Sequence, residues 1–428
     1  MAGIGALNAR GTGLRFLDLF AGAGGLSEGF IRAGFSPVAH IEADLSACFT
    51  LRTRMIWHWL ESVSKEHIYE QYLKGELGRP RLYEQAPEVC IDSVIYEKIS
   101  KSSLRRIFRK VDSLLGTQRI DLIIGGPPCQ AYSVVGRSRD KNRMMGDERN
   151  NLYYHYASFL RRYKPDYFAF ENVTGLLSAR DEKGRRYIDK MLMLFRRAGY
   201  ETEVQTLSAE HYGVLQSRKR VFLIGKRGNR TGFFPKLKQW NPGVKVKDAL
   251  LGLPPLKAGE GGRSPCQTRK TRTGWLDSAK VRNEFMPVTC HQARPNTKQD
   301  LDIYRRAVAL WNARGLRLNY NSLPERLKTH RHRNSFIDRF KVVASNLPCS
   351  HTIVAHIAKD GHYYIHPDIR QNRSITPREA ARIQTFPDDY YFESASDRGW
   401  RTSAFRQIGN AVPVLLAEKL ARGLREAR

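Results

Sequence analysis

The sequence predicts an α/β fold with an open, mixed and mostly parallel sheet, accompanied by a smaller, loop-rich basic domain. Short apolar runs alternate with amphipathic segments in the first half of the chain, which is the pattern of βαβ units. A basic stretch of weak periodicity follows, and helical patterns return towards the C-terminus. The chain of 428 residues is long enough for two or three domains with a substantial core.

The predicted strands are five short apolar runs, at 14–20, 38–41, 121–124, 167–170 and 221–224. The first, second and fourth lie next to helical patterns such as 26–33 and 152–162. Ligands of open α/β sheets bind beyond the carboxyl ends of the strands. Residues directly after these runs are therefore the first candidates for chemistry.

Two further segments are predicted to be helical. Residues 52–88 read as a mainly helical surface insertion whose aromatic side chains pack on the core. Residues 412–424 read as a closing amphipathic helix, with Pro413 suited to its first turn.

The charge of the chain points to a polyanionic partner. Lys and Arg number 72 against 42 Asp and Glu, a net charge of +30, while 41% of residues are hydrophobic. A composition this rich in apolar residues excludes a disordered polycation. Residues 226–350 alone hold 26 basic and 8 acidic residues. We expect this stretch to form a separate domain that binds nucleic acid phosphates.

The six cysteines lie far apart without a Cys-x-x-Cys pair, which argues against a disulfide framework and a zinc ribbon. Histidines cluster near Cys349, but their irregular spacing disfavours zinc, and we predict no metal. No signal-peptide pattern and no run of 18 apolar residues occurs. We therefore expect a soluble intracellular protein that does not contact a membrane.

The first candidate site is a glycine-rich turn between a predicted strand and a predicted helix, Asp18-Leu-Phe-Ala-Gly22-Ala-Gly24-Gly25. Glycines there allow a ligand to approach the backbone, and free helix N-terminal amides suit an anion. Ser27 occupies the position at which a dinucleotide-binding motif has its third glycine. This difference argues against a nicotinamide-dependent oxidoreductase. Glu42 ends the next strand, where a carboxylate accepts hydrogen bonds from ribose hydroxyls.

The second candidate is the loop Gly125-Gly-Pro-Pro-Cys129-Gln-Ala-Tyr-Ser133 after the third run. Prolines and glycines present one cysteine at the ligand-binding edge, and a basic segment follows closely. Nearby positive charge favours the thiolate, so the arrangement reads as an attacking thiol.

Two more strand ends carry charged side chains. Glu171 follows the fourth run and can serve as a general acid if burial raises its pKa. Arg218 and Arg220 lie at the start of the fifth run, and strand alternation places them on one face, where they can clamp an anion or a base carbonyl.

These blocks, together with Arg373-Ser-Ile-Thr-Pro-Arg-Glu and Gln407-Ile-Gly-Asn-Ala-Val-Pro413, occur in one order over nearly the whole chain. The sequence thereby resembles the bacterial DNA (cytosine-5)-methyltransferases of restriction-modification systems. The resemblance implies a Rossmann-like methyltransferase core at 1–225, a target-recognition domain at 226–372 and a returning segment at 373–428. One departure is Leu215, where the family usually has proline.

The resemblance implies S-adenosyl-L-methionine as cofactor and S-adenosyl-L-homocysteine as product. The glycine turn would line the methionine end, Glu42 would hold the ribose, and Asp92 is our choice for the weak adenine-contacting block. The implied cofactor residues are Phe20, Ala21, Gly22, Gly24, Gly25, Glu42, Asp92, Pro128, Leu152, Asn410 and Val412.

The resemblance also implies catalytic and DNA-binding roles. Cys129 would attack carbon 6 of a flipped-out cytosine, Glu171 would donate to ring nitrogen 3, and Arg218 and Arg220 would orient the base. A mobile loop at 131–150 would close over that base. The implied DNA contacts are Gln130, Ser133, Arg137, Arg139, Arg143 and Arg373.

Two alternatives stay open at this point. The same pocket would serve an RNA methyltransferase acting on transfer RNA, although the long basic segment favours duplex DNA. The other alternative is a non-catalytic DNA-binding protein of the same fold. For the enzyme, the resemblance implies a monomer associated with the nucleoid of the bacterial cytoplasm, and a partner restriction endonuclease that cuts the same unmethylated site.

Overall fold

The computed structural model describes residues 13–128, 151–228, 231–268 and 274–427. Its centre is a seven-stranded sheet. The strands are β1 (Arg15–Leu19), β2 (Ser36–Glu42), β3 (Val94–Tyr96), β4 (Leu122–Gly125), β5 (Tyr167–Asn172), β6 (Tyr200–Ser208) and β7 (Lys219–Arg227). Their order across the sheet is β3-β2-β1-β4-β5-β7-β6.

The sheet is mixed and mostly parallel, as predicted. β1 pairs in parallel with β2 and β4, and the outer pairs β2–β3 and β4–β5 are also parallel. β7 runs antiparallel to β5 and β6. The carboxyl ends of the first five strands and the beginning of β7 therefore meet at one edge.

All five predicted runs form strands, and the prediction missed β3 and β6. β3 has only three residues, and β6 is a sheet edge with mostly half-buried or exposed side chains. Neither strand has the continuous apolar run that marks a strand buried on both faces.

Helices cover both faces of the sheet. One core layer lies between the sheet and helices α6 (Leu104–Leu115), α7 (Leu152–Tyr163) and α8 (Tyr187–Arg197). The opposite layer includes α1 (Gly25–Arg32) and the C-terminal helices α13 (Pro377–Ile383), α14 (Trp400–Asn410) and α15 (Val414–Glu426). The closing helix is thus confirmed, with Pro413 directly before it.

The segment predicted as a helical insertion is helical. It comprises α2 (Leu45–Ser62), α3 (Glu66–Lys74), α4 (Arg79–Glu84) and α5 (Glu88–Asp92). Trp57 and Tyr69 pack with tilted rings, whose centroids lie 4.8 Å apart, inside a separate hydrophobic cluster.

The basic segment is rich in loops. Its described regular elements are α9 (Val246–Leu250), α10 (Gly274–Ser278), α11 (Lys298–Arg314), α12 (Arg333–Phe336) and a two-stranded sheet of β8 (Gly261–Gly262) and β9 (His291–Gln292). Apolar residues around α11 form a separate cluster. Among the described residues, no helix is both long and apolar enough to cross a membrane.

Candidate active site

A cavity of about 1790 Å³ opens at the carboxyl edge of the sheet. Its walls come from the ends of β1, β2, β4 and β5, the beginning of β7 and the end of α14. The predicted site residues that line it are Phe20, Ala21, Gly22, Gly25, Glu42, Pro128, Leu152, Glu171, Arg220, Asn410 and Val412.

The glycine-rich turn joins β1 to α1 in left-handed backbone conformations. Gly24 adopts a φ of 80° as the N-cap of α1, a conformation that disfavours other residues. Gly24 does not line the cavity, so its role is to shape the turn. A Cβ on Gly25 would lie 2.5 Å from the carbonyl oxygen of Val412. The absence of a side chain there allows the C-terminal block to close against the turn.

Glu42 ties the first two strand ends together. Its Oε2 accepts a hydrogen bond of 2.7 Å from the Gly22 amide, and its Oε1 accepts from the amides of Ala43 (2.8 Å) and Asp44 (2.7 Å). Burial raises the pKa of Glu42. These bonds orient a carboxylate at the cavity wall, and its remaining lone pairs can accept from a ligand.

Glu171 at the end of β5 and Arg220 at the beginning of β7 form an ion pair in the cavity wall. Arg220 Nε lies 2.8 Å from Glu171 Oε1, and the side chains are only 12% and 15% exposed. Burial raises the pKa of Glu171, while the guanidinium groups of Arg220 and Arg218 oppose part of that rise. The carboxyl group is therefore oriented and kept closer to protonation than a free glutamate.

The loop after β4 packs directly on this ion pair. A Cβ on Gly126 would lie 2.4 Å from Glu171 Oε2, so only glycine fits without a shift. Asn172 Nδ2 donates a 3.2 Å hydrogen bond to the Pro127 carbonyl. Pro128, which precedes Cys129 in the chain, lines the cavity.

Arg218 does not share a face of the cavity with Arg220, contrary to the prediction. It lies just before β7, is fully buried and does not line the cavity. Its guanidinium donates to the carbonyl groups of Ile353 (2.6 Å), Gly409 (3.1 Å) and Ala411 (2.7 Å). Arg218 therefore positions the C-terminal block beside the cavity.

We expect Arg218→Gln to lower the free energy of unfolding by about 3 kcal/mol or more, because buried carbonyls lose a charged donor. Urea denaturation measures this change. Arg227→Gln at the end of β7 is the matched control, since Arg227 is 46% exposed and pairs with Asp166 at the surface. Its cost is expected to stay under about 1 kcal/mol. Equal losses in both variants would contradict the assigned role.

The C-terminal block, residues 407–413, is held in place by its first residue, Gln407. Gln407 Oε1 accepts from Thr50 Oγ1 at 2.7 Å, and its Nε2 donates to the Glu393 carbonyl at 2.9 Å. These contacts join α14 to α2. Asn410 and Val412, at and after the end of α14, thereby reach the cavity from a distant part of the sequence.

The prediction for Asp92 is wrong. Asp92 is exposed at the end of α5 and precedes β3, whereas ligands meet the sheet after its strands. The residues that line the cavity there are Glu97, Lys98 and Ile99, directly after β3. The helical insertion before β3 shifted the alignment with the family's adenine-contacting block, so the prediction fell on α5 and not on the end of β3.

The DNA-binding role predicted for Arg373 is also wrong. It is fully buried, and its Nη1 and Nη2 donate to the Glu379 carboxylate at 2.8 and 2.7 Å. Its Nε donates to the Leu256 carbonyl at 3.1 Å. With no exposed surface to offer to DNA, Arg373 joins α13 to the basic segment.

Other predicted residues lie outside the described part of the chain. They are the proposed nucleophile and the polar and basic residues after it: Cys129, Gln130, Ser133, Arg137, Arg139 and Arg143.

Sequence reasoning assigned no role to several charged residues that line the cavity, among them Asp18 and Arg406. Asp18 is buried at the end of β1, and a lone acid inside an apolar strand was the signal for it. Arg406 precedes Gln407 on α14 and has no hydrogen-bond or ion-pair partner among the described residues.

Comparisons with known proteins show which family the chain matches. The family model for C-5 cytosine-specific DNA methylases matches residues 14–74 and 93–426. The chain is 38% identical to the type II methyltransferase M.Bpa9945I of Bacillus paralicheniformis, over 96% of this chain and 98% of that protein. It is 31% identical to the type II methyltransferase M.DdeI of Desulfomicrobium norvegicum, over 95% and 88% respectively.

A solved structure shares the fold. It is a putative DNA modification methyltransferase encoded within a prophage of Escherichia coli, with a TM-score of 0.61 and 24% identity. The superposition covers 96% of this chain and 99% of that chain. The similarity thus extends over both the sheet and the basic segment.

Proposed function

The chain belongs to the C-5 cytosine-specific DNA methylases, and we propose that it methylates carbon 5 of a flipped-out cytosine in duplex DNA through a covalent Cys129 adduct. It is a DNA (cytosine-5-)-methyltransferase related to type II modification enzymes. The observation that carries the proposal is the buried Glu171–Arg220 pair at one end of the cavity that Glu42 and the glycine turn also line.

The cavity residues fit S-adenosylmethionine as the cofactor. When bound, that molecule supplies the methyl group on its sulfonium. Glu42 presents carboxylate oxygens for ribose hydroxyls, and the glycine-rich turn lines the cavity with backbone at the start of α1. The residues that would hold the cofactor are Phe20, Ala21, Gly22, Gly25, Glu42, Pro128, Leu152, Asn410 and Val412.

The chain's own groups would prepare the cytosine. The Cys129 thiolate adds to carbon 6 while Glu171 transfers its proton to ring nitrogen 3, which leaves an enamine with a nucleophilic carbon 5. After methylation, the carbon 5 proton is lost to water, the thiolate leaves carbon 6 and the nitrogen 3 proton returns to Glu171, which restores the aromatic ring and the acid. Arg220 holds the Glu171 carboxyl in place and orients the base.

The basic segment 226–372 would recognise DNA. Its cations would contact phosphates and read base edges, and the target base must leave the stack before a thiol can reach it. We assign residues 1–225 to the catalytic core and 373–428 to a segment that returns to that core, as the contacts of Arg218 and Gln407 suggest.

The type II relatives suggest a restriction-modification context. We infer that a restriction endonuclease cutting the same unmethylated site is the functional partner, and that the enzyme acts as a monomer on DNA in the bacterial nucleoid.

Bisulfite sequencing tests this function. Plasmid DNA from a methylation-free host that expresses the protein should show unconverted cytosines in one short motif, and DNA from the vector control should show none. Unconverted cytosines confined to transfer RNA would instead support the RNA methyltransferase. If the protein is folded and binds the cofactor but methylates neither DNA nor transfer RNA, the non-catalytic DNA-binding protein is the alternative that is left.

A further inference from the structure

Residues 97–112 form a second basic region, outside the basic segment. They hold six basic and two acidic residues and run from the end of β3 into α6. Both acids are paired within the core. Arg106 donates to the Glu97 carboxylate from Nη2 at 2.8 Å and from Nε at 3.2 Å, and Arg162 pairs with Asp112. The region therefore keeps an excess of positive charge.

Four cations of this region have exposed side chains without a hydrogen bond or ion pair among the described residues. They are Lys98, Lys101, Arg105 and Arg109, and we call them the α6 patch. The first three line the rim of the cavity. Arg109 lies four residues after Arg105 on α6, which places it on the same side of the helix, about 6 Å further along the axis. Unpaired cations gathered on one surface attract a polyanion.

The backbone beneath the α6 patch is well anchored. Ser103 Oγ donates to the Lys98 carbonyl at 2.6 Å and accepts from the Ser100 amide at 2.9 Å. Ile107 and Val111, on the opposite side of α6 from the exposed arginines, are fully buried. A partner that binds the patch therefore has to order side chains only, which limits the entropic cost of binding.

The cofactor offers no anion to these cations. With the ribose at Glu42 on β2 and the reacting base at Glu171 on β5, the adenine of S-adenosylmethionine lies towards the end of β3. Adenosine carries no negative charge, and the single carboxylate of the cofactor belongs to its methionine end, at the glycine turn. The α6 patch is therefore available to a different ligand.

The α6 patch and the basic segment border the same edge of the sheet from opposite faces. α6 packs in one core layer with α7 and α8, whereas apolar residues of the basic segment, such as Val246 and Trp275, pack in the other layer. α6 follows β3 and so begins at the carboxyl edge, where the cavity opens. A duplex that lies across this edge meets positive charge on both sides of the cavity.

The strand order gives the distance between the α6 patch and the target base. β3 and β5 are four strand spacings apart, which amounts to about 19 Å at about 4.8 Å for each spacing. Successive base pairs of B-DNA rise by about 3.4 Å, so this distance spans about five or six base pairs. The phosphates within reach of the patch lie at that separation from a cytosine held at Glu171.

We propose that the α6 patch binds phosphates of duplex DNA on one side of the target cytosine, about five or six base pairs away. The inference rests on the proposed function and adds a DNA contact surface on the catalytic core to that of the basic segment. Each cation that contacts a phosphate releases condensed counterions and contributes about 0.9 to the slope of log K against log salt. Phosphate contacts carry no base information, so the patch strengthens binding and fixes the orientation of the duplex without reading its sequence.

DNA with neutral phosphates tests the proposal on the full-length protein. The probe is a duplex that contains the identified motif, bound in the presence of S-adenosylhomocysteine. In two further duplexes of the same sequence, methylphosphonates replace the phosphates about four to seven base pairs from the target cytosine, on one side or on the other. Replacement on one side should weaken binding to the unaltered protein at least about tenfold.

A triple variant of the α6 patch, Lys101→Gln, Arg105→Gln and Arg109→Gln, tests the protein side of the contact. Its affinity for the natural duplex should fall by a similar factor, and its slope of log K against log salt should decrease by about two to three. The methylphosphonates on that side should then weaken its binding by less than about twofold, because both changes remove the same interaction.

The matched control removes three charges at the opposite edge of the sheet. Arg161→Gln, Lys164→Gln and Arg197→Gln alter exposed cations near the ends of α7 and α8, beside the amino ends of β5 and β6. This variant should bind the natural duplex within about twofold of the unaltered protein, since these cations lie more than a screening length from the DNA. It should also keep the full response to methylphosphonates.

The outcomes are distinct. Equal losses in the two triple variants, or additive losses when the patch variant is combined with methylphosphonates, overturn the contact and leave the proposed function standing. Methylphosphonates that weaken the unaltered protein on neither side also overturn it, and this measurement requires no variant to fold. Failure of the unaltered protein to methylate any duplex, although it binds S-adenosylhomocysteine, overturns the proposed function itself.

Discussion

Replacement of Cys129 by serine is expected to reduce methylation of the target cytosine at least about 1000-fold. A serine hydroxyl is barely ionised at neutral pH, whereas a thiolate adds readily to carbon 6. Binding of DNA and of S-adenosylhomocysteine should change by less than about threefold, because the two side chains are nearly the same size. Initial rates on a duplex that contains the identified site measure the effect.

A trapping experiment gives an independent readout of the same residue. Fluorine at carbon 5 of the target cytosine cannot leave as a proton, so the covalent adduct should accumulate and survive denaturation. Cys349→Ser is the control, since Cys349 is a free and partly buried thiol that does not line the cavity. It should leave rate and trapping unchanged. A Cys129→Ser protein that methylates at the normal rate would rule out the thiol mechanism.

The second large effect is expected for Glu171→Gln, which should lower kcat about 100-fold or more while DNA affinity changes little. Glutamine keeps the size of the side chain and loses the proton that ring nitrogen 3 requires. It also loses the charge that pairs with Arg220 Nε at 2.8 Å. Single-turnover rates with saturating DNA and cofactor measure the chemical step.

The pH profile adds a signature of the acid role. Burial raises the pKa of Glu171, so the protonated form persists to higher pH than in a free glutamate. The single-turnover rate should therefore fall as pH rises through that pKa, and this limb should vanish in Glu171→Gln. Glu182→Gln, an exposed residue in the loop after β5, is the control. An equal loss of rate in both variants would argue against acid catalysis.

The strand ends that line the cavity were predictable from sequence. Each apolar run that precedes Phe20, Glu42, Pro128 and Glu171 is long enough to mark a buried parallel strand. Parallel strands place their carboxyl ends at one edge, so residues directly after such runs converge whatever their sequence separation. The edge strands β3 and β6 escaped notice, because short or half-exposed strands lack that apolar run.

Adjacent residues of similar chemistry could not be assigned this way. Arg218 and Arg220 differ by two positions, yet Arg220 reaches Glu171 and Arg218 binds the carbonyls of Ile353, Gly409 and Ala411. Arg373 likewise lies in a family block and turns out to be buried against Glu379.

By itself the sequence determined the α/β class, the edge of the sheet where the cavity opens and the family to which the chain belongs. These depend on periodicity, strand length and motif order, which are local or cumulative properties of the chain. Only the tertiary structure decided that Arg220 and not Arg218 faces the cavity, and that Asp18 is a buried acid without an ion-pair partner among the described residues. Those properties depend on carbonyl groups, charges and desolvating side chains brought from distant segments, and no local pattern encodes them.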